Sequence, residues 1–111
     1  MIIRSHRRAD RRLERITEYF ATDSASSRYG LRVVAALTHG VELLADHPKI
    51  GTRFHLRKTP PPPRQFRRLL IEDYAIIHVY LTELDEILVV DYWHQARNQE
   101  ALIAALGRIR L

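Results

Sequence analysis

The stretch RRLLIEDYAIIHVYLTELDEILVVDYWH, Arg67 to His94, decides how this chain folds. Apolar runs at Leu69 to Ile71, Tyr74 to Leu81 and Ile87 to His94 are separated by Glu72-Asp73 and by Thr82 to Glu86. β-Branched and aromatic residues dominate the longer runs, and the polar breaks are short, so the stretch reads as three strands of an antiparallel meander. Successive side chains of a strand point to opposite faces. Ala75, Ile77, Val79 and Leu81 therefore share one face of the middle strand, which is plainly core. Tyr74, Ile76, His78 and Tyr80 share the other, where hydroxyls and an imidazole sit among apolar atoms, as Tyr92 and His94 do on the third run. That second face is expected to be partly polar and a candidate binding surface.

Working outward, Met1 to Arg4 reads as a short strand laid beside the meander. Ser5 is the expected N-cap of a helix whose apolar positions are Ala9, Leu13, Ile16 and Phe20. Its other face carries Arg7, Arg8, Arg11, Arg12 and Arg15, either solvated and locally paired with Asp10 and Glu14 or in contact with nucleic acid. Thr22-Asp23-Ser24 breaks the pattern, and a second helix runs to about Ala45 with Tyr29, Val33, Leu37, Val41 and Leu44 as its buried stripe. Two such helices form an αα-hairpin, and the Ala75/Ile77/Val79/Leu81 face is the apolar surface expected to receive it. His47-Pro48-Lys49-Ile50-Gly51 ends the hairpin. The segment from Thr52 to Gln65 contains Pro60 to Pro63, a stiff polyproline excursion that reads as a rigid loop or as a ligand for a proline-binding groove. Asn98 caps a short terminal helix with Ala101, Leu102, Ala105, Leu106 and Ile109 at helical spacing, which closes the open face of the sheet or awaits a partner.

The expected fold class is α+β: an N-terminal strand, an αα-hairpin packed on a three- to four-stranded antiparallel sheet, and a short C-terminal helix. With 111 residues the chain is expected to form one domain, residues 1–111. Absence of cysteine excludes a disulfide scaffold and a thiolate site and suits a reducing compartment. No stretch approaches the length of a membrane span and no secretory signal is evident, so a cytoplasmic location is expected. Eighteen Lys and Arg against thirteen Asp and Glu give a formal charge of +5. All the cations but Lys49 and Lys58 are arginine, whose planar fork suits phosphate and carboxylate, so an acidic partner is expected.

No phosphate-binding glycine loop, HExxH or GxSxG is present, which removes most cofactor enzymes. His78, His94 and Asp91 lack the spacing of a zinc-ligand pair, and neither metal nor cofactor is expected. The meander would gather His78, Tyr80, Tyr92, His94, Arg68 and Arg97 near one face. A metal-free ribonuclease needs a base, an acid and cations around the phosphorane; Arg68, His78, His94 and Arg97 would be its set.

Several phrases in order resemble the RelE/ParE superfamily of toxins from type II toxin-antitoxin systems. They are Ala9-Asp10-x-x-Leu13-x-x-Ile16-x-x-Tyr19, Leu44-x-x-x-Pro48-x-x-Gly51, Arg68-Leu69 ahead of Tyr74-x-Ile76-Ile77-x-x-Tyr80, and Ile87 to Val90 closing on Trp93-His94-x-x-Arg97. Trp93-His94-Gln95 is closer to ParE, whose last strand commonly ends in an apolar residue, His and Gln. RelE carries an arginine after the tyrosine that opens the middle strand and a tyrosine in its terminal segment. Here Ala75 follows Tyr74, and no tyrosine lies beyond Tyr92. The resemblance implies a toxin that binds and poisons DNA gyrase and is neutralised by a cognate ParD/RelB-like antitoxin in a hetero-oligomer; the alternative is a ribosome-dependent mRNA endoribonuclease. Tyr80, Tyr92, Trp93, His94, Arg97, Leu102 and Leu106 are the residues expected to meet target or antitoxin.

Overall fold

The computed structural model describes residues 1–22, 27–53 and 65–109, and the meander forms in it as the residue pattern requires. Strands β3 (Phe66–Ile71), β4 (Tyr74–Leu81) and β5 (Glu86–His94) pair antiparallel, with Arg68 opposite Ile77 and Tyr74 opposite His94. Their turns place Glu72 and Asp85 at positive φ, 54° and 49°, a region that short polar side chains tolerate better than branched ones.

The sheet is wider than expected, with five strands in the order β1-β5-β4-β3-β2. β1 (Ile2–Ser5) runs parallel to β5, so the sheet is mixed, and β2 (Thr52–Arg53) runs antiparallel to β3. Two residues are too few to show a period, so β2 leaves no signature in sequence. The parallel pairing becomes possible because a long helical excursion separates β1 from the meander. Gly51, at φ 96°, leads into β2; a Cβ there would stand 2.2 Å from the Arg68 carbonyl oxygen, so only glycine fits.

Helix α1 spans Arg7–Ala21 and α2 spans Ser27–Asp46. The cap of α1 is His6 rather than Ser5: His6 Nδ1 accepts from the Arg8 amide at 3.0 Å, while Ser5 is spent as the last residue of β1 opposite Val89. Thr22 follows α1, its N–H donating to Glu18. The rest of the expected break, Asp23-Ser24, and the Pro60 to Pro63 run lie outside the described residues. On α2, Val33, Leu37 and Leu44 are buried as expected, with Gly30 and Gly40 completing the face. Helix α3 (Gln99–Leu106) is capped by Asn98, whose side chain accepts from the Glu100 amide at 2.9 Å. No helix among the described residues is long and apolar enough to cross a membrane.

The hairpin packs on the opposite face of β4 from the one expected. Ala9, Ile16, Val33, Leu37 and Leu44 share a core with Tyr74, Ile76, Ile87, Val89 and Tyr92. Ala75, Ile77, Val79 and Leu81 instead form a second core with Phe66, Leu88, Val90, Trp93 and the α3 residues Leu102 and Leu106. The polar atoms of the hairpin face do not prevent this, because those of His78 and Tyr80 find hydrogen-bond partners within the fold. Tyr80 donates to Asp85 at 2.8 Å at the rim, and the His78 ring meets the Ile76 and Ile50 carbonyls at 3.0 and 3.2 Å. Seven of the eight β4 residues are buried, so the partly polar face expected from sequence is covered along most of its length and stays open only at its Tyr74–His94 end.

His78 is fully buried, and desolvation lowers its pKa below the usual imidazole value against the raising effect of the two carbonyls. The neutral ring is therefore the folded form, and it donates one hydrogen bond. The unfolded chain takes up the proton first as pH falls, so this contribution to stability is complete above the ordinary histidine pKa and is lost below it. Urea midpoints measured from neutral pH down to about pH 5 should fall more steeply for the native chain than for His78→Gln. Parallel curves would remove His78 from that role.

Candidate functional site at the free edge of β5

The register places Ile77 opposite Asp91 but His78 opposite Val89, so β5 carries a bulge at Val90-Asp91. β1 ends opposite Val89, where the His6 amide donates to the Val89 carbonyl at 2.8 Å. Beyond that point no strand among the described residues pairs with the outer side of β5, and α1, which follows β1 after the single residue His6, lies along the vacated edge. The bulge and the strand's end together turn Asp91 toward α1.

Asp91 is 0% exposed. Its Oδ2 accepts from Arg8 Nε at 2.9 Å, and its Oδ1 accepts from Arg12 Nε at 3.2 Å and from the Tyr92 amide at 2.8 Å. Two guanidiniums on one carboxylate leave an excess positive charge on a firmly held frame. Trp93, 3% exposed, extends that frame: the Arg97 guanidinium lies 4.4 Å and that of Arg12 5.5 Å from its ring centroid. The buried indole Nε1 has no hydrogen-bond partner among the described residues, and packing and these cations hold Trp93.

Beside this frame opens a cavity of about 230 Å³. Ile16, Tyr74 and Tyr92 line it together with Arg12, Arg15 and Arg97, and Tyr19 and His94 complete it. His94 stands edge-on to Tyr74 with ring centroids 5.0 Å apart. Its Nδ1 accepts from the Ala96 amide at 3.0 Å, which puts the proton of the neutral ring on Nε2. Burial first, then nearby Asp73 for Tyr74 and Asp10 for Tyr92, raises both phenol pKa values, so both stay protonated at neutral pH. The pocket thus presents guanidiniums, phenols and an imidazole N–H, and no carboxylate is among its described lining residues. Such a donor-rich site suits an anionic or planar guest and lacks a free base for proton abstraction.

Of the residues singled out from sequence, Tyr92, Trp93, His94 and Arg97 come together here. Arg68 and His78 do not join them: Arg68 pairs with Ile77 and faces the α3 side of the sheet, whereas His78 is sealed under the hairpin. Tyr80 sits at the other end of β4 from Tyr74, about 20 Å away at the usual rise per residue. Leu102 and Leu106, 0% and 2% exposed, fasten α3 to the sheet, so any partner of that helix would meet its outer side. Sequence reasoning missed Tyr19 and Asp91, put Tyr74 on the candidate face without naming it a site residue, and left Arg8, Arg12 and Arg15 between a solvated face and nucleic-acid contact. The arginine row was visible, but a solvated helix face has the same spacing.

Comparison with known families gives one match over most of the chain: residues 3–99 fit the model described as the ParE toxin of the type II toxin-antitoxin system parDE. No curated protein matches. Among solved structures, the chromosomal ParDE toxin-antitoxin system from P. aeruginosa superposes with a TM-score of 0.61 at 16% identity, over 85% of this chain and 95% of that one. At that identity the likeness is one of fold.

Proposed function

The chain belongs to the ParE toxin family of type II toxin-antitoxin systems, and from that premise we propose that it arrests growth by binding DNA gyrase and is neutralised by a cognate antitoxin in a hetero-oligomer. The observation that carries this reading beyond family membership is the donor-rich pocket at the edge of β5, which can bind and orient but holds no free base. His94 and Arg97 are the pocket members contributed by the end of β5 and the loop after it, and Trp93 and Asp91 act behind them by positioning Arg97 and Arg12. Ribosome-dependent mRNA cleavage draws less support, because the four residues it would use are split between two faces and an edge of the sheet.

The test is induction in bacteria without antitoxin, following growth, message integrity and chromosome breaks in the same cells, with supercoiling by purified gyrase as the direct assay. Arrest with breaks and intact messages is expected, and co-expressed antitoxin should restore growth. Arrest with cut messages would transfer the reading to a nuclease. The double variant His94→Ala/Arg97→Ala should lose toxicity at unchanged protein level and bind gyrase about 30-fold more weakly, the loss of a typical interface hot spot. Full toxicity in that variant would move the target surface elsewhere.

A further inference from the structure

The exposed flank of α1 carries chemistry that the gyrase reading leaves unused. Arg7, Arg11 and Arg15 recur once per turn, about 6 Å apart along the helix. None of the three has a carboxylate partner among the described residues. With His6, Arg8, Arg12 and Ile109 they line a groove of about 280 Å³. Arg12 and Arg15 also line the pocket at the edge of β5, so groove and pocket form one track, cationic along the helix and aromatic at its end. Tyr19, 73% exposed, stands at the aromatic end.

We propose that this track binds a single-stranded nucleic acid, with successive phosphates on Arg7, Arg11 and Arg15 and one unstacked base in the pocket beside Tyr19. Cations that follow a backbone next to an aromatic platform are the usual means of holding single strands without sequence preference. At about 230 Å³ the pocket is smaller than sites for drug-sized ligands, and its floor of Ile16, Tyr74 and Tyr92 under three guanidiniums suits one planar ring. An amphipathic helix of a protein partner needs a line of apolar anchors, and among the described lining residues of the groove Ile109 is the one aliphatic side chain. Apolar ground for such a helix lies in a separate pocket, where Phe20, Leu31 and Val34 meet. The inference does not depend on gyrase being the toxin's target.

The test is fluorescence anisotropy of the intact chain with short labelled oligothymidylate and oligouridylate over rising salt. Binding of either strand with a log–log salt slope of about −2 is expected for three phosphate contacts to a single strand. Arg7→Ala/Arg11→Ala/Arg15→Ala should flatten that slope and weaken binding about tenfold or more, with the thermal melt unchanged. The single variant Arg11→Glu gives the same direction with less perturbation of the helix. Tyr19→Ala should weaken binding about tenfold while leaving the slope intact, because stacking carries no counterion term. No binding at low salt, or wild-type binding by both arginine variants, would overturn the proposal. Equal affinity for polyglutamate or duplex DNA, with no effect of Tyr19→Ala, would also overturn it in favour of a surface for acidic proteins or double strands. Gyrase inhibition is read separately by supercoiling, so failure of one reading is distinguishable from failure of the other.

Discussion

Asp91→Ala is expected to destabilise the protein by about 3 kcal/mol, seen as a fall in Tm of about 12 °C. The side chain is small and little hydrophobic surface is lost, so the cost is electrostatic. Asp91 is fully buried, whereas Arg8 and Arg12 retain some exposure, 32% and 17% of their side chains. Removing the carboxylate leaves two guanidiniums facing each other at a desolvated strand edge and orphans the buried Tyr92 amide. Either change alone is unfavourable. Arg8→Ala or Arg12→Ala should each cost about 1 kcal/mol, since the other arginine remains on the carboxylate. Adding Asp91→Ala to the double arginine variant should then cost much less than it does in the native background, the signature of one coupled network. A melt of Asp91→Ala within a few degrees of the native protein would show that solvent already screens the cluster. Arg12 also lines the pocket, so toxicity should fall with Asp91→Ala even where the protein still folds.

The target binding proposed for the edge of β5 and the stability of the fold should respond differently to Gly30→Val, for which a loss of about 3 kcal/mol in stability is expected with that edge untouched. Glycine inside a helix is ordinarily a weakness of about 1 kcal/mol relative to alanine. Here it lets α1 and α2 touch: a Cβ at Gly30 would lie 2.2 Å from Phe20 Cβ and 2.6 Å from its Cγ. Those atoms sit at the root of the Phe20 side chain and cannot swing aside without moving α1. Phe20 is further held edge-on between Tyr19 and Tyr29, at centroid distances of 5.2 and 5.4 Å. Gly40 is the control, because its nearest neighbours are side-chain atoms of Ile76 and Ile71 at 2.8 and 2.9 Å, which can rotate. Gly40→Ala should therefore cost less than Gly30→Val, its helix-propensity gain offsetting part of the crowding. Equal melting of the Gly30 and Gly40 variants would mean that the hairpin separates freely at its closed end.

The excess positive charge around Asp91 and the close crossing at Gly30 both rest on geometry that links separate elements of the chain. Arg8 and Arg12 stand 83 and 79 positions from Asp91. They meet it because β1 pairs parallel with β5, stops opposite Val89, and hands the chain straight to α1. A periodicity read within one helix makes the arginine row indistinguishable from a solvated face. The same limit explains the error over His78 and Tyr80, whose polar tips look like a wet face until Ile50 and Asp85 are seen to satisfy them.

What the sequence determined by itself is everything carried by short-range pattern: the three strands of the meander, the two helices of the hairpin, the Asn98 cap of α3, and the local phrases that mark a ParE-like toxin. These follow from propensities and periods expressed within a few turns of chain. Tertiary structure alone decided which face of β4 the hairpin covers, the parallel pairing of β1 with β5, the addition of β2 to the sheet, and the gathering of Arg12, Arg15, Tyr19 and Tyr74 around His94 and Arg97. Both faces of β4 are apolar enough to be buried, so alternation cannot choose between them. The choice falls to long-range packing, where one bulge at Val90-Asp91 and one strand ending at Ser5 set which side chains meet.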